Sequence, residues 1–423
     1  MMTASANESS NGKFFYGWWI VAVSIVCLAL MWTLPVTCFS LFLKPISASM
    51  GFERSSIALC ASIVALSSMF MSPFVGRWME QKSVKLVLGL SITGVAAGFV
   101  GYSLATSLPM FYLSALLIGI SLNGSSIMAF NIIIKNWFIE KQGLAMSIAL
   151  AGTGLGGMIM SPIINSMILT HGWRFAYQAL AVLILVLVLP LALIFIKKKP
   201  QDMGLMPYGY GHTPKKGSSA AIDLNLTLAQ VKQYPMFWIF MLGIASIGFA
   251  GGAVLLQAPA YISDQLSPTK AAAAVSAYLG IAIAGKIILG AVFDAKGSKA
   301  GIMLSCITLA LSIVTLFYIK QETFYFAFIL LHGFGTCTGT VTPPVLTSRI
   351  FGAKNYGPIY GMTNLFLQAG MAIGSPVIAY VFDKTGSYFI SWQLCLAVSL
   401  IALFSLLYSV NAGRKLLETR KEA

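Results

Sequence analysis

Gly76-Arg77-Trp78-Met79-Glu80-Gln81-Lys82-Ser83-Val84-Lys85 reappears as Gly290-Ala291-Val292-Phe293-Asp294-Ala295-Lys296-Gly297-Ser298-Lys299, an offset of 214 residues. The glycine, the acid and both lysines keep their places. Each copy sits between two long apolar runs. Working outward, the same offset pairs Gly119 with Gly333 and Lys135 with Arg349. It pairs Gly143, Gly156 and Gly172 with Gly357, Gly370 and Gly386, and Ser161-Pro162 with Ser375-Pro376. One coincidence at a fixed offset means little. A dozen, with like charges and helix breakers matched, indicate a duplicated unit.

Composition says what that unit is made of. Of 423 residues, 58% are hydrophobic and 9% charged, with a mean hydropathy of +0.84. Water cannot solvate a surface built from so few charges, so most of the chain must face a lipid bilayer. Apolar runs at about 15–43, 55–76, 84–106, 109–134, 143–169, 175–196, 236–262, 271–293, 299–319, 324–349, 357–381 and 388–410 are each long enough to cross it as a helix. The expected fold is an all-α membrane protein with 12 transmembrane helices in two pseudo-symmetric six-helix bundles. The expected division is 1–196, a central loop at 197–235 opening on Lys197-Lys198-Lys199-Pro200, and 236–423. The stretch around Leu224–Gln233 reads as a short interfacial helix. Spans 2 and 8 then occupy matching places, as do 5 and 11. Such halves enclose a cavity near mid-membrane that opens to either side by rocking.

The net charge of +15 resides between the spans, where basic residues set orientation. With both termini on the cytoplasmic face, inner segments hold 20 Lys and Arg and outer segments 6. No basic cluster alternates with aromatics as a single-strand nucleic-acid binder needs. No nucleic acid partner, cofactor or metal is expected. The first twelve residues lack the basic start and cleavage site of a signal peptide, so the first span is expected to be retained. The six cysteines are scattered through apolar runs without metal-ligand spacing.

Two motifs look like nucleotide sites and are read otherwise. Gly152-Thr153-Gly154-Leu155-Gly156-Gly157 follows no strand and lies inside an apolar span. Glycines so spaced let helices approach closely. Gly280 to Lys286 is nearly a phosphate loop, but Ile287 stands where a Mg²⁺-binding hydroxyl belongs. The twelve acids fall in loops, tails or span ends, and His171, His212 and His332 are far apart. Nothing here looks enzymatic.

Lys286 is the only Lys or Arg in the interior of an apolar run rather than at its end, eight residues before Asp294 and so about 12 Å from the end of span 8. A charge at that depth costs at least about 2.5–3.5 kcal/mol. No span interior offers an acidic partner. The economical resolution is a cavity visited by an anion, with Lys286 as its counter-ion. A lysine bound to carbonyls at a helix break is the structural alternative. Trp32, Asn123, Gln257, Tyr278, His332, Thr336, Asn364 and Gln368 are the other mid-span polar or aromatic groups and form a candidate lining. His332 titrates near neutrality in its ordinary state, and either it or Lys286 offers a proton carrier. Proton–anion symport and anion exchange both fit.

The Gly-x-x-x-Glu/Asp-x-Lys-x-x-Lys loops resemble the signature loop of the major facilitator superfamily, and the resemblance covers nearly the whole chain. In it, Glu80–Lys135 and Asp294–Arg349 are expected to be gating pairs within each half that steady the outward-facing state. Within the superfamily, Trp137-Phe138-Ile139-Glu140-Lys141-Gln142-Gly143-Leu144-Ala145-Met146-Ser147-Ile148-Ala149-Leu150-Ala151-Gly152 resembles the span 5 signature of the monocarboxylate transporter and oxalate–formate antiporter group. Tyr16-Gly17-Trp18-Trp19 echoes its span 1 signature, and Lys199-Pro200-Gln201-Asp202-Met203-Gly204-Leu205 the central loop of its bacterial members. The resemblance implies that Lys286 stands for the group's substrate-binding arginine, keeping its charge but losing the planar fork. Glu140 departs where the group has a lysine, and Ala282 stands where proton-coupled members have an acid. Val36 stands where the group has its span 1 lysine, and the span 11 lysine of the oxalate exchanger falls at about Leu367, which speaks against a dicarboxylate. The expectation is a monomeric carrier of a small organic anion, a monocarboxylate above all, in a plasma (inner) membrane. The rivals are a transporter-like receptor that binds without carrying, and an efflux carrier for a neutral or cationic compound.

Overall fold

Apolar helices fill a computed structural model of the chain, which describes residues 15–210, 224, 226–352 and 355–422. The polar leader with Lys13, the loop residues Lys215 to Ser219, and Lys354 lie outside the described residues. Among the described residues, ten helical stretches are long and apolar enough to cross a membrane. Two of them are double length, Gln142–Phe195 and Pro268–Leu316. A straight helix of the first length would run about 80 Å, well over twice the hydrocarbon thickness.

Each double stretch turns back at a glycine. Gly172 has φ 84° and Gly297 φ 82°, a region closed to residues with a Cβ. Hydrogen bonds at the two ends prove the reversal. Next to Gly172, Trp173 donates to Ser49 Oγ (2.7 Å) and Arg174 to the Ser103 carbonyl (2.7 Å), at one end of the molecule. At the close of the same stretch, Tyr16 Oη donates to the Phe195 carbonyl, beside the start of span 1 at the other end. Likewise Tyr325 Oη donates to Lys270 O and Tyr261 Oη to Leu316 O, both at the end opposite Gly297. Twelve crossings result, as the sequence indicates.

Spans 1 to 4 are Tyr16–Leu43, Arg54–Gln81, Val84–Leu104 and Leu108–Trp137. Spans 5 and 6 share Gln142–Phe195, and span 7 is Pro235–Gln265. Spans 8 and 9 share Pro268–Leu316. Spans 10, 11 and 12 are Glu322–Phe351, Tyr356–Thr385 and Tyr388–Glu422.

Besides a π segment at Ile184–Val188 in span 6, three of the described spans are irregular, at places that matter for the site. Span 1 contains a π segment at Thr33–Thr37 around Pro35, whose missing N–H the wider turn accommodates. Span 4 breaks between Leu122 and Ile127, and span 10 between Gly335 and Thr338. Asn123, which opens the first break, and Cys337, which lies in the second, are partners at the 214-residue offset. Irregular backbone at membrane depth survives only where protein or a wet cavity meets its polar groups.

The beginning of the central loop is docked rather than free. Trp137 Nε1 donates to Lys197 O, Asn136 to Lys198 O, and Tyr208 N–H to Trp137 O. The Tyr208 ring packs against Phe15, Trp18 and Phe138. Lys198, donating to the carbonyls of Glu80 and Lys82, is held below the usual lysine range by burial and by the neighbouring Lys199 charge, against the pull of Glu80 and Asp202. Further on, the expected interfacial helix is a single turn, Leu228–Val231, capped by Thr227 and Gln230.

Candidate functional site

The halves meet along two seams, span 8 against span 5 and span 2 against span 11. At the signature-loop end of the first seam, Asp294 Oδ1 accepts from the Gly143 N–H (3.0 Å) and Oδ2 from the Leu144 N–H (2.8 Å). These amides open the helix of span 5, whose first turn has no internal acceptors for them and carries the positive end of the helix dipole. Arg349 of span 10 closes on the same carboxylate at 2.8 Å, with side chains only 14% and 15% exposed. The second seam repeats the device. Glu80 accepts from the Gly357 N–H at the start of span 11. Lys135 stands 4.9 Å over the Tyr356 ring, and its charge acts on Glu80. The acids therefore do more than pair within their own half: each grips the helix start of the other half.

One turn toward mid-membrane, glycines bring backbones into contact. A Cβ on Gly290 would strike Ser147 Oγ and the Gly143 carbonyl, and one on Gly76 the Gly357 carbonyl. No side chain fits between the helices there.

The next turn carries Lys286. Its ammonium donates to Thr153 Oγ1 (2.9 Å) and the Leu150 carbonyl (3.2 Å), both on span 5, and the residue is 8% exposed. Thr153 Oγ1 in turn donates to Leu150 O (2.8 Å), and the Thr153 carbonyl accepts from Thr33 Oγ1 (3.0 Å) in the π segment of span 1. Cys337, at the break in span 10, donates to the Ala282 carbonyl just before Lys286. At the matched place on the other seam Ser72 donates to Gly361 O (3.0 Å). Asn364 donates to Ser72 Oγ (2.9 Å) and to Asn123 Oδ1 (3.3 Å), and Asn123 to Ser68 O. Past Lys286, Ile283 stands beside Gly154, and Leu279, on the Lys286 face of span 8, is 47% exposed.

The remaining candidates divide. Asn123, Asn364 and Lys286 lie on the seams, and half-buried Gln368 follows Asn364 by one turn on the same face. Trp32 is half-buried at the entrance to the π segment. Tyr278 and His332 meet each other instead, ring centres 4.9 Å apart, inside the second half. His332 is 1% exposed, stacks on Phe328, and neither ring nitrogen has a hydrogen-bond partner among the described residues. Gln257 is committed to Ser375 Oγ (2.9 Å) and Tyr388 Oη (3.4 Å), and Thr336 to the Gly333 carbonyl of its own helix (2.9 Å).

Sequence reasoning missed Thr153, Thr33 and Ser72. Thr153 was hidden inside a glycine run read as a packing element. The repeat itself carried the signal for Ser72, because the offset that pairs Asp294 with Glu80 also pairs Lys286 with Ser72.

Two pseudo-symmetric bundles, closed at one end through helix-start contacts and holding a buried cation between them, have the architecture of a membrane transporter rather than an enzyme. The model of the Major Facilitator Superfamily matches residues 21–269 and 240–423, and the chain belongs to that superfamily. Relatives include the uncharacterized MFS-type transporter YcxA of Bacillus subtilis (strain 168), 23% identical over 87% of this chain and 89% of that one. Monocarboxylate transporter 12 of Mus musculus is 24% identical over 90% of this chain and 82% of its own length. Among solved structures, the transporter FucP in the outward conformation superposes with a TM-score of 0.72 at 14% identity, covering 94% of this chain and 99% of that chain.

Proposed function

We propose that this chain carries a small organic anion, in the first place a monocarboxylate, across the plasma membrane by alternating access, with Lys286 as counter-ion. The observation that carries the reading is the surroundings of Lys286. It is a buried cation between the two rocking halves, and its hydrogen bonds go to a carbonyl and a hydroxyl rather than to a carboxylate. Dipoles offset the cost of burying a charge only in part, so an incoming carboxylate is a stronger partner. The likeness to monocarboxylate transporter 12 supports the same substrate class. The cycle is either proton symport or anion exchange. Trp32 and Gln368 line the approach, and Glu80, Lys135, Asp294 and Arg349 act as the gate at the signature-loop end. The excess of basic residues on that side supports a cytoplasmic position for it and for both termini.

The test is thermal stabilisation of the purified protein by a panel of carboxylates, amines and sugars, beside Lys286→Gln. At 100 times its dissociation constant, a ligand adds about 2.7 kcal/mol. One carboxylate should stabilise the wild type and not the mutant, and should then accumulate in proteoliposomes. Stabilisation by an amine or sugar that survives in the mutant would overturn the reading. Binding without accumulation would make the protein a receptor.

A further inference from the structure

The seam between spans 5 and 8 is a ladder of unequal rungs. Asp294 on the amides of 143 and 144, Gly290 against Gly143 and Ser147, and Ile283 beside Gly154 are all indifferent to a passing ligand. The Lys286 rung is different, because the ammonium that holds span 5 is the group an anion would seek. Resting on the reading of Lys286 as counter-ion, we propose that Thr153 is the positioning residue that holds this ammonium against span 5. An arriving carboxylate then takes the lysine from Thr153, and binding itself loosens the seam.

Thr153 is built for that task. Its single hydroxyl proton is given to Leu150 O, which turns the oxygen lone pairs toward the ammonium. The β-branch restricts the hydroxyl to few rotamers. Its carbonyl is tied to Thr33, so spans 1, 5 and 8 meet at one residue. A charge held by dipoles alone exchanges them readily for a carboxylate, whose hydrogen bonds are charge-assisted. A ligand that binds one arrangement of the seam better than another draws the protein toward it. Here the favoured arrangement is the one in which Lys286 no longer bridges to span 5.

The experiment is amide hydrogen exchange on the full chain in lipid nanodiscs, followed at both seams, 143–150 and 357–364. Thr153→Val keeps the shape and removes the acceptor. Exchange at both seams should rise about tenfold, the scale of one hydrogen bond to a charged group. The distant seam is the informative one: a packing defect at 153 stays local, whereas a lost latch opens both together. Thr153→Ser should restore wild-type exchange, and Thr153→Val combined with Lys286→Met should match Lys286→Met alone. Wild-type exchange in Thr153→Val, a rise confined to 143–150, or additive effects would each overturn the latch. Lactate, pyruvate or benzoate, whichever raises the wild-type melting temperature, should lift wild-type exchange to the Thr153→Val level. Protection of the seams by that anion would overturn the handover. If none of the three stabilises the wild type while Thr153→Val still opens both seams, the latch stands and the anion reading alone falls.

Discussion

Span 8 meets span 5 as span 2 meets span 11, yet the two seams differ in their middle rung. Both begin with an acid on the helix start of the other half and continue through glycines in backbone contact. Then one seam presents Lys286 and the other Ser72. Around Ser72 the groups satisfy one another: the hydroxyl gives to Gly361 O and receives from Asn364, which also reaches Asn123. Around Lys286 the geometry is met but the charge is not, since Leu150 O and Thr153 Oγ1 are neutral acceptors. Duplication therefore supplied two copies of one joint, which differ at Lys286 against Ser72, Leu150 against Asn364 and Cys337 against Asn123, and on the proposed reading only the charged copy responds to a ligand.

Substitutions can break or sharpen this contrast. The largest effect is expected from Lys286→Gln, which makes the charged seam resemble the neutral one. Losing the charged member of a buried contact costs about 2–5 kcal/mol, so affinity for the stabilising anion should fall at least about thirtyfold, read by calorimetry. An unchanged affinity would erase the distinction between the seams. Next comes Asp294→Asn against Glu80→Gln. The first strands Arg349 in a largely buried place and should cost about 3 kcal/mol, the second about 1 kcal/mol, in denaturant unfolding. Equal losses would mean that the Arg349 bridge contributes nothing of its own. The smallest effect is expected from Asn364→Ala, about 1 kcal/mol of stability with anion affinity unaltered. A large affinity loss there would put the ligand on both seams.

Much of the fold was legible because its signals are chemical and repeated. Twelve apolar runs and the glycine–acid–lysine loop at one offset state the architecture directly, and Gly172 and Gly297 mark turns that helix geometry alone would run through. The site was only half legible. Lys286 stands out because a cation in an apolar run has no cheap explanation. Thr153 does not, because a threonine between two glycines becomes meaningful only when span 8 is laid against it. His332 shows the converse. Its chemistry invites a role, but the fold places it beside Phe328 and Tyr278, within one half and off both seams. Sequence reveals which residues are unusual, and packing decides which of those face each other.

The two loop acids grip main-chain amides, and this has a consequence for inheritance. A lock whose keyhole is backbone has no side chain to lose on that side. Leu144 can drift to any residue that keeps the helix start, while the glycines beside it are constrained by space alone. The hydrogen-bonding side chains that a substitution can remove are those of residues 80 and 294, whereas Gly143 and Gly357 are vulnerable only to added bulk, because a Cβ there would strike the facing backbone. A genetic screen for loss of closure would find 80 and 294 through loss of a carboxylate and 143 and 357 through any gain of a side chain, but almost never 144, so the two halves would show different kinds of mutation for one contact.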